Sequence, residues 1–261
     1  MAIFEPGRSA GHWQPTPLAA GPFSGLQGGA IASLLTAEIE ALASTCKWGT
    51  AVSVTVSFLK PTPMAELRTR ITALREGGRV NVIDNTMFAA GDTEPCATAR
   101  VTLTNERRVE APEIPGAVTA PADPLRYPLR TIASFHGRPW MMNAMDARMG
   151  DGVGWFHQNV PIIDGATPGS LSSVLGPADW AHGIARPLHN VVADPNPNLT
   201  VQLLKAPASG WIGIRANAQS DTQRGLGIGG GAILDVQGEI GSVSMAVALT
   251  PFPKQAAAAG A

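Results

Sequence analysis

The chain repeats itself at the length of a domain. Val56-Ser57-Phe58-Leu59-Lys60 in the first half is echoed by Val201-Gln202-Leu203-Leu204-Lys205 in the second, an offset of 145 residues. The same offset carries Arg79 to Arg224, each in a basic, glycine-flanked turn: Gly77-Gly78-Arg79 and Gln223-Arg224-Gly225. Solenoid repeats run to about 20–50 residues, so this is a duplicated, domain-sized unit. Two copies of one unit share a junction, and the search for chemistry starts there.

Each copy reads as a helix followed by strands. Residues 1–24 are rich in Gly and Pro and read as an irregular lead-in. From Leu26 the apolar residues Leu26, Ile31, Leu34, Leu35, Ile39 and Leu42 recur at helical spacing with few charges between them, which predicts a helix buried on most sides. Gly28 and Gly29 stand in its first turn. Glycine is costly there, so another group needs to approach the backbone. Strands are predicted at 51–59, 66–74, 80–90 and 97–104, as a four-stranded antiparallel meander. In the first, Val52, Val54, Val56 and Phe58 alternate with Ser53, Thr55 and Ser57. A first unit over 1–108, a proline-rich linker over 109–128 and a second unit over 129–253 follow, with a disordered tail at 254–261. In the second unit a hairpin from 141–148 and 153–160 precedes a helix at 170–184. Strands at 199–204, 211–218, 226–235 and 240–249 complete it, the last pair turning at Val236-Gln237-Gly238.

Composition removes several classes of function. The formal net charge is −1 and no dense Lys/Arg stripe occurs, so nothing points to nucleic acid. Cys46 and Cys96 lie in no CxxC or Cys/His cluster, which leaves no zinc motif and reads as two buried, reduced thiols of a cytoplasmic protein. No run approaches the roughly 18 apolar residues of a membrane span, and the first residues do not form a signal peptide. Gly225-Leu226-Gly227-Ile228-Gly229-Gly230 fits the GxGxxG pattern but leads into a strand rather than a helix. It reads as a glycine-rich strand that something approaches closely.

The ordered motifs resemble the acyl-CoA thioesterases with a double hotdog fold. Gly28-Gly29-Ala30-Ile31-Ala32 looks like the start of that family's first helix, and Phe58-Leu59-Lys60-Pro61 like its strand end. Ala178-Asp179-Trp180-Ala181-His182-Gly183 resembles its Asp-bearing second helix start. Asn198-Leu199-Thr200-Val201, Lys205-Ala206-Pro207, Gly210-Trp211 and Asp235-x-x-Gly238-x-Ile240-Gly241 follow in the family's order. The resemblance implies an α+β double hotdog, two helix-plus-antiparallel-sheet units forming one continuous curved sheet, with sites between the units. It implies hydrolysis of acyl-CoA by a cytoplasmic homo-oligomer, without metal or cofactor and without a nucleic-acid or membrane partner.

For the site, the resemblance points to Asp179 as the group that deprotonates water or attacks the thioester itself. Apolar neighbours would raise its pKa. Read by itself, Asp179 is equally an acid that caps a helix or meets its dipole. The first-turn amides near Gly28 and Gly29 are the candidate oxyanion donors, while the same glycines also suit tight helix packing. His182 is a candidate acid–base partner, three residues beyond Asp179 on one helical face, or a histidine bonded to a neighbour. Asn196 and Thr200 are candidates for holding the water. One departure stands out: the family's last-strand Gln has no counterpart, its position falling near Met245. Trp13, Trp140, Trp155, Trp180 and the methionines at 141, 142 and 145 line an acyl tunnel or fill core. Lys47, Lys60, Arg79 and Arg224 meet CoA phosphates or solvent. The rival readings are a non-catalytic acyl-CoA or lipid-ligand binder and a hotdog enoyl-CoA hydratase using an Asp/His pair.

Overall fold

Alternation makes a strand buried on one face only, and two such strands, one from each half of the chain, lie side by side at its centre. The computed structural model describes residues 1–111, 122–185, 188 and 191–251. Its strands are β1 (Phe4–Pro6), β2 (His12–Pro15), β3 (Thr50–Phe58), β4 (Leu67–Arg75), β5 (Val80–Ala89) and β6 (Ala97–Thr104) in the first half. In the second they are β7 (Met145–Gly150), β8 (Val153–Gln158), β9 (Asn198–Leu203), β10 (Trp211–Asp221), β11 (Leu226–Asp235) and β12 (Gly238–Ala248). All twelve form one sheet in the order β1-β2-β4-β5-β6-β3-β9-β12-β11-β10-β8-β7. The order is the same read from either end, half against half, which is the duplication made visible.

The junction is the antiparallel pair β3–β9. Val54 faces Val201, Thr55 faces Thr200 and Val56 faces Leu199. Thr55 and Thr200 are 145 positions apart, the offset of the repeat, so these two meet as counterparts, their neighbours pair crosswise, and an approximate two-fold axis runs between them. Val54, Val56, Leu199 and Val201 are fully buried under the helices. Thr55 and Thr200 point to the other face, their hydroxyls 3.3 Å apart.

Three helices cover the inner face: α1 (Gly28–Cys46), α2 (Ser172–Ala178) and α3 (Ala181–Ile184). Ile31, Leu34, Leu35 and Ile39 of α1 are buried on the sheet. Lys47, in the left-handed region at φ 57°, ends α1 with its N–H on the carbonyls of Ala43 and Ser44. At the other end the Gln27 side chain accepts from the Ala30 N–H and caps the helix.

Four expectations are corrected. The lead-in is not irregular throughout: β1 and β2 continue the sheet past β4, the counterpart of the β7–β8 hairpin beyond β10. The strands are not a simple meander, because β3 pairs with β6 and β9 rather than with β4. This crossover frees β3 to join the halves. The second helix is not continuous over 170–184. Pro177 removes a donor inside α2, and the chain passes through Asp179 and Trp180 before α3 resumes. Finally, Cys96 is buried but Cys46 is exposed. Much of the predicted linker, 112–121, and the whole predicted tail lie outside the described residues.

The glycine-rich run from 225 is strand β11, as its context required. A side chain at Gly229 would strike His182, and one at Gly231 would strike the Arg215 carbonyl oxygen. No helix among the described residues is long and apolar enough to cross a membrane.

Candidate active site

Helices α1 and α2 touch at two glycines. A Cβ on Gly29 would stand 3.0 Å from the Gly176 Cα and 3.0 Å from the Asp179 Cβ. A Cβ on Gly28 would stand 3.1 Å from both carboxylate oxygens of Asp179 and 3.0 Å from Phe58 Cζ. The glycines are there because the second unit brings a carboxylate against the first turn of α1.

That carboxylate is held by three donors, two from the start of α1 and one from the segment ahead of β9. The Gly29 N–H donates to Asp179 Oδ2 at 3.0 Å. Asn196 Nδ2, just ahead of β9, donates to Asp179 Oδ1 at 2.8 Å. Gln27 Nε2 donates to Asp179 Oδ2. The amide of Gln27 cannot be turned round, since its Oε1 accepts the Ala30 N–H at 2.9 Å. One side chain thus caps α1 and fixes the acid of the other unit. Burial pushes the Asp179 carboxyl up to about 6, and the Asn196 amide and the Gly29 N–H hold it from going further.

The two candidate oxyanion donors divide the work. The Gly29 N–H is taken by Asp179. The Gly28 N–H has no acceptor among the described residues and stands beside the carboxylate. A carboxylate near neutrality next to a free first-turn amide can activate a water and hold the oxygen of the group that water attacks.

Asp179, Asn196, Gly28 and Gly29 are therefore brought together. Thr200 and His182 are not. Thr200 lies on the opposite face of the sheet, placed there by the one-residue alternation of β9. His182 follows the break after α2, so it does not share a helical face with Asp179. Its Nε2 lies 2.7 Å from Asp194 Oδ2, both side chains buried. The Asp/His pair of a hydratase is thus not made by Asp179 and His182. Gln27 is the functional residue that sequence reasoning missed. Its signal was its position, immediately before the two glycines where a helix cap belongs. Met245, at the place of the family's strand Gln, is buried opposite Gly229.

Trp180, next in the chain to Asp179, packs edge-on against Trp140 with ring centroids 5.4 Å apart. Trp155 is core, buried with Val153 and Leu234. No cluster of three or more His, Cys, Asp or Glu side chains that could hold a metal occurs among the described residues.

Two helix-on-sheet units sharing one continuous sheet, with a site where the helix of one meets an acid of the other, define a double hotdog protein. Residues 16–104 match the family model of the acyl-CoA thioesterase N-terminal domain. No curated protein matches the chain. Solved structures of similar fold include a protein from Novosphingobium aromaticivorans described as a thioesterase, with TM-score 0.73 and 17% identity over 95% of this chain and 98% of that one. Another is a hot dog fold protein of unknown function from Alicyclobacillus acidocaldarius, with TM-score 0.72 and 16% identity over 94% and 95% of the two chains. A third is the acyl-CoA thioesterase II TesB2 of Mycobacterium marinum, with TM-score 0.65 and 13% identity over 95% and 96%. At these identities the likeness is one of fold.

Proposed function

We propose that this protein hydrolyses acyl-CoA thioesters, with Asp179 as the general base and the Gly28 N–H as oxyanion donor. The observation that carries the reading is the half-buried Asp179 carboxylate, held by Gln27, Gly29 and Asn196 beside an amide with no acceptor among the described residues. Asp179 takes a proton from water as the water oxygen bonds to the thioester carbon. The carbonyl oxygen becomes an oxyanion and accepts the Gly28 N–H. The tetrahedral intermediate then expels the thiolate, which takes the proton back from Asp179. Free acid and CoA thiol leave, and the carboxylate is restored. A carboxyl near 6 is suited to both proton transfers, because neither its acid nor its base form is far out of reach at neutral pH. The step needs no metal or cofactor.

The match of residues 16–104 to an acyl-CoA thioesterase domain supports CoA as the leaving group. The Gln27 amide supplies a polar contact to the acid where the expected strand Gln is replaced by Met245. The test is CoA release, followed with a thiol-reactive dye over acyl-CoAs of increasing chain length. We expect turnover by the wild type and a loss of about 100-fold or more in a folded Asp179→Asn variant. No wild-type turnover on any chain length would favour the non-catalytic binder, and turnover surviving the substitution would remove Asp179 from the mechanism.

A further inference from the structure

The approximate two-fold axis between Thr55 and Thr200 generates a second position for every feature of the Asp179 site. Phe58, at the end of β3, maps onto Leu203 at the end of β9, and Asp179 maps onto Leu34. Leu34 is a fully buried core residue, so the second position has no acid in that place. Nor are its helix-start amides free: the Leu171 and Ser172 N–H groups donate to the two oxygens of Glu40 at 2.8 and 3.0 Å. The catalytic arrangement is therefore not duplicated. A cleft of about 860 Å³ opens beside Leu203, between the start of β3, the segment after β6 and the end of β9. It lies across the β3–β9 ladder from Asp179, about 25 Å away at 3.3 Å per residue along β3.

The lining of this cleft is strongly biased in charge. Arg79, Arg107, Arg108 and Lys205 face Glu106 alone, in a chain whose formal net charge is −1. Glu106 accepts the Thr50 hydroxyl at 2.8 Å, and none of the four cations makes an ion pair among the described residues. Leu204 contributes an apolar wall with its side chain 89% exposed. Guanidinium groups lining a hollow suit the bidentate binding of phosphate oxygens.

We propose that this cleft is a second, non-catalytic ligand site that takes a small molecule bearing two or more phosphates. The phosphates meet Arg79, Arg107, Arg108 and Lys205, and the apolar part of the ligand lies on Leu204. The proposal does not depend on the reading of Asp179, because its test is binding and not turnover.

The experiment is titration calorimetry of the full chain with ADP and with inorganic pyrophosphate. We expect both to bind wild type, and Asp179→Asn to bind them within twofold of wild type. The double variant Arg79→Gln/Arg107→Gln, both positions exposed, should bind at least tenfold more weakly with an unchanged melting temperature. Arg224→Gln, the two-fold counterpart of Arg79 outside the cleft, should leave binding unchanged. Absence of binding to either probe at millimolar concentration overturns the proposal. So does binding by the folded double variant within twofold of wild type, or an equal loss in Arg224→Gln.

Discussion

At Asp179, burial and hydrogen bonding pull in opposite directions, and burial prevails. In the proposed mechanism the active form is the carboxylate, so kcat/KM should rise with pH through about 6 and level off above it, falling about tenfold per unit on the acid side. Asn196 stabilises the charged form, so Asn196→Ala should move this limb to higher pH. A pH–rate profile of both proteins checks it, and an unmoved limb would detach Asn196 from the acid. The same shift has a sign for stability. The folded protein keeps the proton up to about pH 6, whereas the unfolded chain releases it near 3.8. Stability attributable to this group therefore falls as pH rises across that window, by about 3 kcal/mol at most, and is level above it. Gly29→Ala should also be severe. Its Cβ would stand 2.9 Å from Gln27 Oε1 and 3.0 Å from the Gly176 Cα, backbone that cannot yield cheaply. Overpacking of this kind costs about 1–3 kcal/mol, and the displaced carboxylate should lower kcat more than tenfold, read by chemical denaturation and by CoA release. The glycines were legible at the start of α1, whereas Asp179, expected at a helix start, closes α2 as its C-cap. Gln27 was not, because a capping amide is ordinary until its other end is seen to meet an acid 152 positions away.

Among the elements, the helices were half legible. α1 announces itself by apolar spacing and has no proline. The second helix carries Pro177, and the pattern over 170–184 was read through it. The break separates the two side chains: Asp179 meets α1 while His182 meets Asp194. Between the helices the two units exchange carboxylates, Asp179 to the first turn of α1 and Glu40 to the start of α2. Removing Glu40 leaves two N–H groups without their acceptor. Glu40→Ala should therefore destabilise the protein by about 2 kcal/mol, measured by urea unfolding, with Glu40→Gln losing less because its amide oxygen still accepts one bond. A second carboxylate on α1, Glu38, is half-buried among Trp13, Thr69 and Asn85. Burial raises its pKa, against the pull of these three donors. These contacts join α1 to three other segments, two of them predicted strands, while Trp13 lay in a segment read as irregular.

The whole molecule is one sheet with the repeat axis through its centre, so the halves should not unfold separately. β3 belongs to the first half in sequence yet has β9 of the second as a neighbour. Hydrogen exchange should give the slowest amides of β5 and β11 the same opening free energy, and two clearly separate values would show independent units. The duplication, the alternation of β3 and β9, the burial of α1 and an acid beside the second helix all follow from local pattern, because alternation and helical spacing depend on neighbours in the chain. The crossover of β3, the outer strands β1 and β2, and the meeting of Asp179 with Gln27, Gly29 and Asn196 do not. They join positions as far as 152 residues apart, and only packing of one unit on the other brings such positions into contact. The raised pKa of Asp179 belongs to the same class, since it comes from water excluded by the assembled fold. Sequence determined which groups this protein has, and tertiary structure decided which of them touch.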